Sequence, residues 1–202
     1  MKIKMLFFCF SIFLLLPNYA QAKFPTHLGG FELGDNISNY PDLIDMRTCR
    51  DNAFNPYLGE GKTIQRAGFK SGSITYGLCD APSKILRIKL KFSDSSKSFF
   101  KKLLRRYEKE LGSPSEYRGD SFQTMIAWKW SFVNDKKERT SLILQHNTMV
   151  EDEKLGNAVK LTLTSQVEKE RACFMTKFPS KNSIEPLPKL KRKALWDLYI
   201  PH

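Results

Sequence analysis

Between Lys84 and Lys109 the chain carries ten basic residues: Lys84, Arg87, Lys89, Lys91, Lys97, Lys101, Lys102, Arg105, Arg106 and Lys109. Only Asp94 and Glu108 oppose them, so the segment has a net charge of +8 and attracts anions. The reach of that attraction depends on geometry. If the wet faces of the strand and the helix in this segment share one side, Arg87, Lys89, Lys91, Lys101, Arg105, Arg106 and Lys109 form one anion-binding surface. If the helix covers the apolar side of the strand, the charges divide between two surfaces. Leu86, Ile88, Leu90 and Phe92 need a cover, which favours the second arrangement. Nucleic-acid readers interleave stacking aromatics with their bases. Here Phe99, Phe100 and Tyr107 fall on the helix's apolar stripe, so nucleic acid is not an expected partner.

Three other groups have chemistry to offer. Trp128 and Trp130 flank Lys129 at alternate positions and point the same way, as a ligand platform or as core. Ile126 and Phe132 share their face, which favours core packing. His146 could serve as a general base with Asp120, the pair a small hydrolase would need. No Gly-x-Ser-x-Gly, His-Glu-x-x-His or Gly-rich phosphate loop accompanies them. The third group is Cys49, Cys79 and Cys173, which lack the close spacing of a metal site. Cys49 and Cys79 bracket a glycine-rich, aperiodic stretch, and the expected disulfide joins them and leaves Cys173 free in a helix. Pairing of Cys173 with either of the others is the alternative. Neither a metal nor a cofactor is called for.

These residues need elements to position them. Lys84 to Phe92 alternates strictly and reads as a half-buried strand, with Ser73 to Cys79 before it and the turn Asp80 to Ser83 between. A helix follows, capped by Ser93, Asp94 or Ser95. Its stripe is Phe99, Phe100, Leu103, Leu104, Tyr107 and Leu111, and Gly112 and Pro114 stop it. Strands are expected at Phe122 to Val133, Thr140 to His146 and Ala158 to Ser165, the last two separated by Glu151-Asp152-Glu153. Ser165 and Glu168 form a capping box for a helix to Thr176. Residues 47–72 read as loop, with room for a strand near Ile64 to Phe69. The expected class is α+β: an antiparallel sheet of about five strands with a helix packed across one face, a C-terminal helix and an extended tail.

The ends add a compartment. Met1-Lys2-Ile3-Lys4, an apolar run from Met5 to Leu16 and Ala20-Gln21-Ala22 follow the order of a cleavable signal peptide, with the cut after Ala22. The run is too short for a membrane span, which takes about 20 residues. The expected organisation is a signal peptide over 1–22, a single domain over 23–177 and a proline-rich basic tail over 178–202. Removing the signal lowers the formal charge from +12 to +10. In the tail, Leu195, Trp196, Leu198 and Tyr199 beside a lysine cluster suit peripheral membrane contact.

The stretch from Phe99 to Trp130, with Leu111-Gly112-Ser113-Pro114 closing the helix before a tryptophan-bearing strand, resembles a unit of small exported bacterial proteins. Phe31-Glu32-Leu33-Gly34 is similar to the start of such domains, and the likeness covers about residues 31–174. It implies a compact envelope domain and brings no catalytic residue with it. The resulting expectation is a periplasmic or secreted, non-catalytic domain binding an envelope protein or anionic envelope polymer. A small periplasmic hydrolase using His146 and Asp120 is the alternative. Terminal sequencing of the exported protein should begin at Lys23; an intact Met1 would overturn the signal reading.

Overall fold

Strict alternation in one strand sets the plan of the molecule. Ile85–Phe92 sends Ile88 and Leu90 to one side and Arg87, Lys89 and Lys91 to the other, and it lies in the middle of the main sheet. The computed structural model describes residues 24–148 and 156–179. A two-stranded ribbon, β1 (His27–Leu28) and β2 (Phe31–Glu32), comes first. Four strands follow: β3 (Ile44–Asp51), β4 (Leu58–Thr63), β5 (Phe69–Gly77) and β6 (Ile85–Phe92). Helix α1 (Lys97–Leu111) leads to β7 (Glu116–Tyr117), β8 (Met125–Val133), β9 (Arg139–Asn147) and β10 (Gly156–Leu163), and α2 (Thr164–Lys177) closes the described chain.

The expected five-strand sheet under one helix is overturned. The protein is mostly β, with an antiparallel eight-stranded sheet in the order β3-β4-β5-β6-β10-β9-β8-β7 beside the two-stranded ribbon. Two meanders run toward each other and meet where β10 pairs with β6. Helix α1 carries the chain from that central seam to the far edge. Its 15 residues reach roughly 22 Å at about 1.5 Å each. The four strand spacings it crosses make roughly 19 Å at about 4.8 Å apiece.

Strand β4 was concealed by its glycines. A Cβ on Gly59 would lie 2.2 Å from the Tyr76 ring, and one on Gly61 would lie 2.7 Å from the Cys49 sulfur. Those neighbours occupy the volume in which an alternating side chain would sit, so an ordinary strand reads as loop. Strand β7 has only two residues, too short for a period to register.

One face of the sheet is covered twice. On it, α1 seats Phe99 against Phe92, Phe100 against His146 and Tyr107 against Trp130. Burial pushes the Tyr107 hydroxyl up to about 12. The helix is capped by Ser96, whose hydroxyl accepts from the Phe99 amide, one residue beyond the expected caps. Asp94 holds the Ser96 amide instead. At the other end Gly112 sits at φ 80° and its carbonyl accepts from the Trp130 indole at 2.8 Å. The N-terminal segment covers the rest of this face. Phe31 is fully buried there against Tyr40, with the Arg66 guanidinium over its ring.

The cysteine expectation is also corrected: Cys79 is joined to Cys173, across 94 residues of sequence, and among the described residues Cys49 is the free thiol. Cys49 packs against the core beside Tyr76, where burial pushes its thiol up. Cys79 lies in the β5–β6 turn, directly under α2. The partner choice follows from Glu170, one helical turn before Cys173 and fully buried. Its carboxylate accepts the amides of Leu78, Cys79, Asp80 and Ala81 at 2.5–3.2 Å. The expected capping box at the start of α2 is absent. The Ser165 hydroxyl accepts from the Arg139 amide, and Glu168 pairs with the Arg139 side chain.

Among the described residues no helix is long and apolar enough to cross a membrane. The signal peptide, the acidic loop at 151–153 and the tail from 180 onward lie outside the described residues.

Two outcomes follow. Peptide mapping without reductant should recover the Cys79–Cys173 bridge with Cys49 alkylatable after unfolding; a Cys49–Cys79 bridge would contradict the fold. Glu170→Ala strips four amides of a charged acceptor and should cost about 3 kcal/mol, hydrogen bonds to charged groups being the stronger class. Thermal denaturation of the oxidised protein should show it as a fall of roughly 6–12 °C for a chain of this size. An unchanged melting temperature would show that α2 is held by the disulfide alone.

Candidate functional site

Cross-strand partners in an antiparallel sheet project to the same side, so the register tells what shares a face with the bases of β6. Lys89 lies opposite Ser73 on β5 and Lys160 on β10. Beyond Ser73 comes Lys62 on β4. Beyond Lys160 come Ile143 on β9 and Lys129 on β8. One row perpendicular to the strands therefore holds four lysines over six strands, a span of roughly 24 Å at about 4.8 Å per spacing. Lys62 is exposed, whereas Lys89, Lys129 and Lys160 are half-buried with their stems along the sheet.

The flanking rows differ from each other. Toward α2, Arg87 lies beside Thr75 and Thr162 and donates to the Thr162 hydroxyl at 3.3 Å. Burial lowers its affinity for the proton. Glu60 faces Arg50 on the same side. Away from α2, Lys91 is followed by Ala158, Gln145 and Ala127. Gln145 is 9% exposed and its Nε2 has no hydrogen-bond partner.

At the β3 edge the face dips. Between Asp45 and Arg50 the register of β3 against β4 breaks. Thr48 fixes the bulge by donating to the Asp45 carbonyl and accepting from the Lys62 amide. The cleft beside it has a volume of about 390 Å³ and is lined by Thr48, Arg50, Glu60, Lys62, Ser71 and Ser73 together with small neighbours. Such a lining suits an anionic group that also carries hydroxyls.

The basic residues of the sequence thus part company. Lys101, Arg105, Arg106 and Lys109 are exposed on α1, whose apolar stripe lies on the sheet's other side. Arg87, Lys89 and Lys91 point away from that helix. The surface uniting strand and helix does not form, and the strand bases instead join Lys62, Lys129 and Lys160. Those three lysines were missed as site residues by reading the sequence, and Gln145 was noted only as the neighbour of His146. Each occupies a polar slot in an alternating strand, Lys129 between two tryptophans and Lys160 between Val159 and Leu161, but only the register brings them into line.

The remaining candidates are engaged elsewhere. His146 is 4% exposed, with Nδ1 2.7 Å from the Asn157 carboxamide oxygen, and Asn157 donates in turn to the carbonyls of Asp94 and Ser96. Asp120 accepts from the Thr124 hydroxyl and from the amides of Thr124 and Met125. These bonds hold its carboxyl below the usual range. The first group ties α1 to the sheet and the second closes the β7–β8 turn. Trp130 is 1% exposed, and Trp128 meets the Tyr117 ring edge-on, so both serve packing. Comparison with protein-family models, with curated proteins and with solved structures finds no match for this chain.

Proposed function

We propose that this protein is an exported, non-catalytic domain that binds an anionic polymer of the cell envelope through the basic face of its sheet. The observation that carries the reading is the lysine row. The sheet's apolar face is closed by α1 and the N-terminal segment, while the opposite face aligns Lys62, Lys89, Lys160 and Lys129 across six strands. A row of lysines attracts a polyanion, although Lys129 already pairs with Glu116 at 3.2 Å. Export is supported by the signal-like N-terminus and by the disulfide, which persists in oxidising compartments. The absence of catalysis is supported by the employment of His146 and Asp120 in structural hydrogen bonds. The resemblance to small exported bacterial proteins agrees with this reading.

The test compares two charge reversals of equal size. Lys62→Glu, Lys89→Glu and Lys129→Glu together change the sheet face; Lys101→Glu, Arg105→Glu and Lys109→Glu together change the outer face of α1. On an anionic support at low salt the first variant should elute well before the wild type and the second only slightly before it. The difference should shrink as salt shortens the screening length below about 10 Å. A circular dichroism melt of each variant checks that it is folded. Greater loss from the helix variant would place the binding surface on α1 and end the sheet reading.

A further inference from the structure

We propose that the β3 edge holds a separate site for a single-chain anionic lipid, its phosphate and hydroxyl head at Arg50 and Lys62 and its alkyl chain along Met46 and Ile64. This goes beyond the polymer reading and stands apart from it. The observation behind it is a pair of adjoining clefts of opposite character. The polar cleft of about 390 Å³ shares Thr48, Lys62 and Thr63 with a second cleft of about 630 Å³. Pro41, Ile44, Met46 and Ile64 line the second, together with Asp45 and Arg47. Met46 is 42% exposed and Ile64 43%, so both present apolar surface to a ligand. Asp45 and Arg47 bridge each other at 3.0 Å and cancel in charge. Small-molecule sites have volumes of about 300–1,000 Å³, and both clefts fall in that range. Their origin is the broken register of the outermost strand. β3 pairs with β4 at Ile44 and Asp45 and again at Arg50 and Asp51, and the residues between leave the ladder.

The polar cleft narrows the head. Among the described residues neither Arg50 nor Lys62 belongs to an ion pair. Lys62 lies opposite Asp45, whose carboxyl is held below its usual range chiefly by Arg47 and only weakly by Lys62. Arg50 lies opposite Glu60. The cleft therefore offers two cations, one carboxylate and the hydroxyls of Ser71 and Ser73. A bare inorganic anion is repelled by Glu60. A phosphate ester that also carries hydroxyls uses the whole lining: Arg50 and Lys62 donate to the phosphate, and Glu60 and the serines take the hydroxyls. The neighbouring cleft then takes an unbranched chain, for which a flexible methionine is a good surface. Phosphate, hydroxyls and one alkyl chain together describe a lysophospholipid with an uncharged polyol head.

Titration calorimetry with three soluble probes, each kept below its micelle-forming concentration, decides the matter. They are decanoyl lysophosphatidylglycerol, glycerol phosphate as the head alone, and decyl maltoside, which has a chain and hydroxyls but no charge. The wild type should hold the lysolipid about tenfold or more tighter than either other probe, the worth of about two buried methylenes or one charge-assisted hydrogen bond. Arg50→Gln should weaken the lysolipid and glycerol phosphate complexes alike, by about tenfold. Met46→Ser with Ile64→Ser should reduce lysolipid binding to the level of glycerol phosphate and leave glycerol phosphate unchanged. The same pair should elute from the anionic support with the wild type, so this proposal and the polymer reading fail separately. All three residues are exposed, and the variants should melt with the wild type. If the double variant does not, Met46→Ser alone should show a smaller loss in the same direction. Glycerol phosphate held as tightly as the lysolipid would assign the cleft to a free phosphate ester and overturn the lipid assignment. Decyl maltoside held as tightly would show adhesion of the chain without recognition of the head. That result overturns the proposal too, as does a wild type that binds none of the three.

Discussion

The Glu170 carboxylate, sunk among four amides of the β5–β6 turn, is the interaction on which the rest of the arrangement depends. A charge taken out of water must be compensated locally, and here backbone groups of residues 78–81 supply the compensation. That fixes the turn, the orientation of α2 and the approach of Cys173 to Cys79 in one step. It also explains Gly77, where a Cβ would lie 2.4 Å from a Glu170 oxygen. Helix α2 is thereby fastened to the first meander, about 90 residues earlier in the sequence. The β6–β10 seam makes a second tie between the same two halves. Each meander alone would be a four-stranded sheet with an unpaired inner edge.

The division of labour between the two faces follows from that closure. Helix α1 has to cross from the centre of the sheet to its far edge, and its apolar stripe decides which face it crosses. The outward row of β6 then carries the bases: Arg87, Lys89 and Lys91 are half-buried, and Arg87, at the end toward α2, donates to Thr162 with its proton affinity lowered by burial. On that side β4, β8 and β10 add their own lysines at matching register.

The elements with a full period were legible in the sequence: β6, β8, β9, β10 and both helices fall within a few residues of their expected positions. The turn at Asp80 to Ser83 and the stop at Gly112 were legible for the same reason, because the residue types there have one conformational use. What escaped was whatever depends on contact between distant segments. Gly59 and Gly61 look like loop residues until Tyr76 and Cys49 occupy their side-chain space. Cys79 has no local reason to choose Cys173 over Cys49. Glu168 looks like half of a capping box until Arg139 claims it. At the site, Arg87, Lys89 and Lys91 could be read on one face of a strand, but their companions Lys62, Lys129 and Lys160 belong to three other strands whose alignment no spacing reveals.

The two margins of the sheet are built differently from its centre. At one, β3 breaks its register between Asp45 and Arg50; at the other, β7 pairs for only two residues, Glu116 and Tyr117. A long, flat outer strand offers its open amides and carbonyls to another molecule, and eight-stranded sheets polymerise edge to edge when that is allowed. Here one border is crooked and the other is too brief to template a neighbour. Fusion of the sheets of adjacent copies into a fibre is disfavoured at both margins.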